Sequence, residues 1–212
     1  NVISTGRMRR THFACCSTTR ISRSRTTATS CLPKDWPESE KSKYFYRELP
    51  VLEIDGKEQL AQSRTILRYL AEQFNLAGKS DWERVKASEF LDFFSEIETK
   101  IYPFLCAKLG VTQEDAGKLR EQVFVPTMRQ AMPIFARVLQ QSGSGFVLAS
   151  GPSYADFQPF LGLSYLSQFE HDFLANEFPE SVEYLERMRT LSKIEEYKAP
   201  SFEAECAMMK KQ

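Results

Sequence analysis

The sequence of 212 residues predicts a small α/β unit followed by an all-helical one. Within residues 48–71 a strand, a turn, a second strand and a helix start follow one another. After residue 80 the apolar residues recur every three or four positions, as they do on one face of a helix. Hydrophobic residues make up 42% of the chain and charged residues 26%, which is typical of a globular chain that buries a core. No apolar run approaches the roughly 18 residues of a membrane span.

The strand–turn–strand block begins at Pro50. Residues 51–54 form a short apolar run that ends at Asp55-Gly56, a dipeptide that favours a two-residue hairpin turn, so residues 57–61 should return antiparallel to it. Ser63 can cap the next helix, in which one face is apolar: Ile66, Leu67, Leu70 and Phe74. Because the amides at a helix start attract carboxylates, this block is a predicted anion-binding half-site.

This block resembles the glutathione-binding part of soluble glutathione transferases, most closely the sigma-like kind that includes prostaglandin D synthases and many invertebrate enzymes. The resemblance implies a thioredoxin-like N-terminal domain, residues 1–77, followed by an all-helical C-terminal domain, residues 78–212. It implies a cis peptide bond before Pro50 and a backbone pairing of Leu49 with the cysteinyl unit of glutathione. Gln62 and Ser63 would hold the γ-glutamyl carboxylate. The alternative is that Pro50 only begins a strand and Ser63 only caps a helix.

The resemblance implies further contacts with glutathione. Trp36 and either Lys41 or Lys43 would meet the glycyl carboxylate, and one extra residue before Pro50 leaves open which lysine aligns. The alternative is that Trp36 packs at a domain edge and both lysines are solvated. The other residues implied in glutathione binding are Arg7, Glu48 and Glu96.

Residues 8–35 carry ten Ser or Thr and few apolar side chains, so neither a strand nor a helix is predicted there. The family has its first two strands and a long helix in this region, and its catalytic tyrosine would precede Asn1. Three explanations stay open: a damaged or incomplete gene model, which we favour, a divergent segment, or a targeting peptide. We therefore expect the chain as given to leave its sheet incomplete and to have little conjugating activity, with Tyr44 and Tyr46 as poor substitutes.

Charge, cysteine and histidine content exclude several kinds of site. Residues 36–212 carry 21 basic and 27 acidic residues, which argues against nucleic acid. The five cysteines lack paired metal-ligand spacing and fit a reducing cytoplasm. His12 and His171 are far apart, so no metal site is expected, and His171 is predicted to lie solvated at the end of a helix.

Three capping boxes are predicted to open helices: Ser80 with Glu83, Thr112 with Asp115, and Ser153 with Asp156, the last a folding device in the family. Pro126 and Pro133 should bend or interrupt a helix.

Two apolar stripes are predicted to be core. In the family the second stripe also helps to wall the pocket for the second substrate. The first consists of Phe90, Phe94, Ile97, Ile101 and Leu105, and the second of Phe124, Met128, Met132, Phe135 and Leu139.

Glu89, Asp92 and Glu96 recur on one face of the first long helix. A solvated face is the ordinary interpretation. The resemblance implies instead a dimer interface, at which an acidic residue near Glu96 reaches the glutathione amino group of the other subunit.

Two functions are predicted. The first is a cytoplasmic, homodimeric glutathione transferase that uses glutathione as a substrate, needs no metal, and either conjugates small electrophiles or isomerises a peroxide such as a prostaglandin endoperoxide. The second is a catalytically inactive, crystallin-like structural protein, which the missing tyrosine favours. Neither a nucleic acid nor a membrane is expected as a partner, and the sequence does not name the electrophile.

Overall fold

The computed structural model describes residues 27–29, 41–48, 50–54 and 57–191. The chain divides into two compact units, Asn1–Asn75 and Leu76–Gln212. Within the described residues, no helix is both long enough and apolar enough to cross a membrane.

The first unit contains a three-stranded antiparallel sheet of β1 (Thr27–Thr29), β2 (Val51–Ile54) and β3 (Glu58–Ala61), in that spatial order. The predicted hairpin is confirmed, since Val51 pairs with Ala61 and Ile54 with Glu58. The Lys57 N–H donates to the Ile54 carbonyl at 3.1 Å, so positions 55 to 57 connect the strands. The connection is therefore one residue longer than the predicted two-residue turn.

Strand β1 lies in the segment for which no strand was predicted, so that prediction was wrong for residues 27–29. Thr27 pairs with Glu53 and Thr29 with Val51. Strand pairing uses backbone N–H and C=O groups, and the β-branched Thr27 and Thr29 suit an extended backbone. An edge strand can therefore form without the apolar alternation from which strands are read.

Helix α1 (Ser63–Gln73) follows β3 after a single residue, Gln62. The predicted cap was wrong by one residue, because Gln62 occupies the N-cap position, Ser63 is the first helical residue, and no side chain caps the helix. Ile66 and Ala71 are buried against the sheet unit's core. Phe74 was predicted on the apolar face, but it lies beyond the last helical residue and is 44% exposed.

The second unit is all-helical, as predicted. Its elements are α2 (Asp81–Lys108), α3 (Ala116–Leu119), a π-helical turn (Arg120–Phe124), α4 (Val125–Ser142), α5 (Tyr154–Leu166), α6 (His171–Glu177) and α7 (Pro179–Arg189). Both predicted apolar stripes are core: every one of their ten residues is at most 8% exposed. Pro126 is the second residue of α4 and cannot donate an N–H to the preceding turn, which accounts for the π-helical interruption just before α4.

The helix starts divide into confirmed and corrected predictions. The box at Ser153 and Asp156 is confirmed. At α3 the cap is Asp115 itself, which accepts from the Gly117 and Lys118 N–H groups at 2.8 and 3.1 Å, so the predicted start at Thr112 was wrong. His171 is exposed as predicted but begins α6 rather than ending a helix.

Candidate functional site

The hairpin register brings the predicted glutathione-binding residues to one end of the sheet. Because Val51 pairs with Ala61, Pro50 immediately before β2 and Gln62 immediately after β3 lie at the same end of the hairpin. Val51 and Leu52 are 4% and 3% exposed and anchor β2 in the core. Pro50 is half-buried, and Leu49 lies outside the described residues, so the cis bond and the backbone pairing stay predictions.

Gln62 has a backbone conformation that a non-glycine residue rarely adopts, with φ +70°. Its carbonyl accepts from the Ile66 N–H at 2.9 Å, which fixes it to the first turn of α1. The Gln62 side chain is exposed and Ser63 is half-buried. Strained residues of this kind persist where the surrounding structure holds them, and they cluster at binding sites.

The loop before β2 consists of two successive turns. The Tyr44 N–H donates to the Lys41 carbonyl at 3.1 Å, and the Arg47 N–H donates to the Tyr44 carbonyl at 3.0 Å. Arg47 has φ +56°. Lys41 is half-buried and Lys43 exposed, so this loop presents cationic side chains in the segment that leads to Pro50.

The remaining predicted residues are not brought together by the described structure. Arg7 and Trp36 lie outside the described residues, and Glu48 is exposed between the loop and Pro50. Glu96 lies on the exposed face of α2 together with Glu89 and Asp92, as the solvated-face interpretation expects. The contact of Glu96 with the glutathione amino group of a second subunit stays a prediction.

The strongest buried polar cluster belongs to the helical unit. Asp156 is fully buried, and its carboxylate accepts from the Val147 N–H and the Ser153 N–H, both at 2.9 Å. The Tyr184 hydroxyl donates to the Asp156 carbonyl at 2.8 Å. Burial raises the pKa of Asp156 to about 6, against hydrogen bonds that lower it. Sequence reasoning missed Tyr184, because nothing in the local pattern of α7 distinguishes it from other core aromatics.

An open cleft of about 470 Å³ lies between the π-turn and α6. Arg120 and Arg129 line it, but each guanidinium is already held by a carboxylate, Glu170 and Glu177 respectively, through hydrogen bonds of 2.7 to 3.0 Å. These internal ion pairs account for both guanidinium groups without a ligand. Within the described residues there is no cluster of three or more His, Cys, Asp or Glu that could hold a metal ion.

Comparison with protein families finds a match of residues 87–201 to the family model described as Glutathione S-transferase, C-terminal domain. Probable glutathione S-transferase 9 of Caenorhabditis elegans is 38% identical over 123 residues, which are 58% of this chain and 59% of that protein. Probable glutathione S-transferase 7 of the same organism is 31% identical over 173 residues, covering 78% of this chain and 80% of that protein.

Solved structures show the same fold. A nu-class enzyme of this family from Haemonchus contortus superimposes with a TM-score of 0.70 at 29% identity, over 82% of this chain and 84% of that one. Monomeric Na-GST-3 from the hookworm Necator americanus gives a TM-score of 0.71 at 29% identity, over 78% and 81%. The predicted fold class, a thioredoxin-like domain before an all-helical one, is confirmed. By its sequence match and its fold, this chain belongs to the glutathione S-transferase family.

Proposed function

We propose that this chain binds glutathione at the end of the hairpin and transfers the glutathionyl group, through its sulfur, to a small electrophile. The observation that carries the proposal is the register of β2 and β3, which brings Pro50 next to the strained Gln62 and to the first residue of α1. The names of the relatives support the same activity.

In the proposed complex the γ-glutamyl carboxylate lies at the start of α1. The Gln62 amide and the Ser63 hydroxyl donate to it, and the partial positive charge of the helix N-terminus favours it. Leu49, before a cis Pro50, pairs its backbone with the cysteinyl unit. The glycyl carboxylate meets Trp36 and Lys41 or Lys43, and the remaining proposed contacts are Arg7, Glu48 and, from a second subunit, Glu96.

The chemical step is attack by the glutathione sulfur. A thiol with a pKa of about 8.5 is only a few per cent ionised near neutrality, and each unit of depression requires about 1.4 kcal/mol of preferential thiolate stabilisation. A hydroxyl that donates to the sulfur supplies this, and the thiol proton leaves to solvent. The thiolate then forms a C–S bond while the leaving group of the electrophile departs with its electron pair.

A second function is a structural, catalytically inactive protein of the same family. This alternative is favoured by the positions of Tyr44 and Tyr46, the tyrosines that lie nearest before Pro50 in the sequence. Tyr44 and Tyr46 lie in the loop before Pro50, on the side proposed to meet the glycyl end of glutathione rather than its thiol. In this alternative glutathione binds weakly and no turnover follows.

The finer assignments belong to the same proposal. We place the chain in a reducing cytoplasm and in a sigma-like group, with isomerisation of a prostaglandin-type peroxide as an additional activity. The alternative to the sigma-like group is the nu class, because a nu-class structure is similar to this chain. The alternative to a homodimer is a monomer, because the similar protein Na-GST-3 is monomeric. Sedimentation of the purified chain distinguishes a homodimer from a monomer.

Turnover separates the two functions. The purified chain is assayed with glutathione and a generic aromatic electrophile, and glutathione binding is measured in parallel by calorimetry. Because the 212-residue chain is expected to have little activity by itself, it is assayed beside a version that carries the family's N-terminal strand and tyrosine. The proposed transferase gives conjugate well above the uncatalysed rate in that version. Binding without conjugate in both versions identifies the inactive structural protein, and the absence of both binding and conjugate removes the proposal.

A further inference from the structure

Two exposed aromatic side chains lie next to each other in the loop before β2, residues 41–48. Phe45 is 89% exposed, more than any other large hydrophobic side chain that the structure describes, and Tyr46 is 58% exposed. Their rings lie edge to face, with centroids 5.0 Å apart. Single exposed aromatic residues are ordinary on a protein surface, but a contiguous exposed pair is a candidate contact surface for a partner.

The backbone of the loop holds this pair at its tip. The Arg47 N–H donates to the Tyr44 carbonyl at 3.0 Å, so Phe45 and Tyr46 are the two central residues of a turn. A preceding turn, closed by the hydrogen bond from the Tyr44 N–H to the Lys41 carbonyl at 3.1 Å, adds a second bend directly before it. The central residues of a turn lie where the chain reverses, so the aromatic pair forms a convex tip rather than a groove.

Cationic side chains lie on both sides of the aromatic pair. Lys41, Lys43 and Arg47 against Glu48 give residues 41–48 a net charge of +2. Lys43 and Arg47 are exposed and Lys41 is half-buried. Aromatic rings are enriched at the headgroup level of a bilayer, and each nearby Lys or Arg strengthens attachment to anionic lipid. The loop therefore combines the two features that bind a protein to an anionic bilayer surface.

We propose that the loop of residues 41–48 docks on a bilayer surface that carries anionic phospholipids. Phe45 and Tyr46 enter the headgroup layer, and Arg47 with the lysines meets the phosphate and carboxylate groups of the headgroups. The inference goes beyond the proposed transfer reaction and does not depend on it. The sequence predicts no membrane partner because no apolar run is long enough to span a bilayer, whereas docking by a loop tip requires no span.

A second copy of this chain fits the loop less well than a lipid surface does. Another strongly exposed aromatic side chain, Trp82 on α2, is 71% exposed and so protrudes as Phe45 does. Two protruding side chains do not form the close complementary packing of a protein interface core. The fluid headgroup layer of a bilayer adapts its shape to a convex tip and needs no preformed cavity.

The test measures sedimentation of the full chain with phosphatidylcholine vesicles that contain about a third of phosphatidylserine, beside vesicles of phosphatidylcholine alone. Phe45→Ser removes the most exposed ring. Arg47→Asn removes one charge and introduces a residue that tolerates the φ of +56° at this position. Lys41 and Lys43 stay unchanged, because one of them is proposed to meet glutathione.

Two exposed residues elsewhere in the chain serve as matched controls. Trp82→Ser removes an exposed aromatic ring from α2. Lys57→Asn removes an exposed charge at the opposite end of the hairpin from Pro50. Both controls are expected to bind vesicles within twofold of wild type. Circular dichroism of every variant separates a change in vesicle binding from a folding defect.

The wild type is expected to bind the anionic vesicles at about 0.1 M salt, to bind phosphatidylcholine alone at least about tenfold more weakly, and to leave the anionic vesicles at about 0.5 M salt. Arg47→Asn is expected to weaken binding about fivefold, the change that follows from the loss of one cation at an anionic surface. Phe45→Ser is expected to weaken it at least about fivefold, because the ring no longer enters the headgroup layer.

Three results would overturn the proposal. The first is a wild type that does not bind the anionic vesicles at about 0.1 M salt. The second is unchanged binding in Phe45→Ser, because charges elsewhere on the chain would then hold the vesicles. The third comes from sedimentation without vesicles: if Phe45→Ser turns a dimeric wild type into a monomer, the tip is a contact between two copies and is not available to a bilayer.

Discussion

The starts of α2 and α5 carry the same Ser-x-x-acid signature, yet their acidic residues make different bonds. At α5 Asp156 accepts from the Ser153 N–H, as a capping box predicts, and adds the Val147 N–H. At α2 the Glu83 carboxylate accepts from the Lys79 N–H and the Ser150 N–H rather than from the Ser80 N–H. Asp156 is fully buried, whereas Glu83 is only half-buried.

The comparison teaches that burial decides what a capping signature does. A buried carboxylate has to accept hydrogen bonds from the buried N–H groups around it, because water cannot reach them. Its removal therefore lowers the free energy of unfolding of the whole unit. A half-buried carboxylate contributes less to stability, because the N–H groups that donate to it can bond to water instead. Glu83 can therefore accept from two loops without being essential to the fold.

The largest effect is expected at Asp156. The change Asp156→Asn leaves one of the two buried N–H groups without an acceptor and should lower the free energy of unfolding by about 3 kcal/mol. Urea denaturation at pH 4, where the folded protein holds Asp156 protonated, measures it; at pH 7 the ionised Asp156 bears its desolvation cost and the difference between the two proteins is smaller. The control Asp172→Asn makes the same change at a fully exposed carboxylate and should stay within about 0.5 kcal/mol. A loss below about 1 kcal/mol at Asp156 would remove the distinction between the two helix starts.

The pH dependence of stability should differ between wild type and Asp156→Asn. Burial raises the pKa of Asp156 from 3.8 in the unfolded chain to about 6 in the folded one. The folded state therefore binds this proton more tightly, so the contribution to stability is complete below about pH 3.8 and is lost as the pH rises through about 6. The loss amounts to up to about 3 kcal/mol.

Denaturation of both proteins at pH 4 and pH 7 measures this difference. The wild type should lose more stability than the variant over the interval. Parallel curves would show that the hydrogen bonds to the carboxylate outweigh its desolvation.

Tyr184→Phe should have a smaller effect. It removes the hydroxyl that donates to the Asp156 carbonyl at 2.8 Å and leaves the shape of the ring in place. The expected loss is about 1 kcal/mol in the free energy of unfolding. A control in the same helix is Glu183→Gln, an exposed residue for which no change is expected. A Tyr184→Phe loss as large as that of Asp156→Asn would mean that the tyrosine, rather than the carboxylate, anchors the cluster.

The smallest effect on stability is expected for Glu83→Gln, at most about 1 kcal/mol, because the Lys79 and Ser150 N–H groups can bond to water instead. Denaturation beside Ser80→Ala, which removes an N-cap and should cost about the same, checks it. A loss near 3 kcal/mol would make Glu83 a folding residue like Asp156.

The sequence predicted the helical unit better than the sheet unit for a physical reason. The stripes from Phe90 to Leu105 and from Phe124 to Leu139 repeat with the helix period, so local spacing determined which residues are core. Strand β1 depends on backbone pairing with β2, which is remote in sequence and leaves no local pattern. The strain at Gln62 and the partners of Glu83 arise from tertiary packing, which neither spacing nor residue type reveals.

The central claim, that the end of the hairpin binds glutathione, is tested most directly by calorimetry of glutathione binding to wild type and to the double variant Gln62→Ala, Ser63→Ala. Gln73→Ala, which truncates the same side chain at the far end of α1, is the control. The proposal predicts that the double variant raises the Kd at least tenfold, about 1.4 kcal/mol, while the control leaves it unchanged. An unchanged Kd in a double variant that retains the wild-type circular dichroism spectrum would contradict the claim and leave Ser63 as only the first residue of a helix.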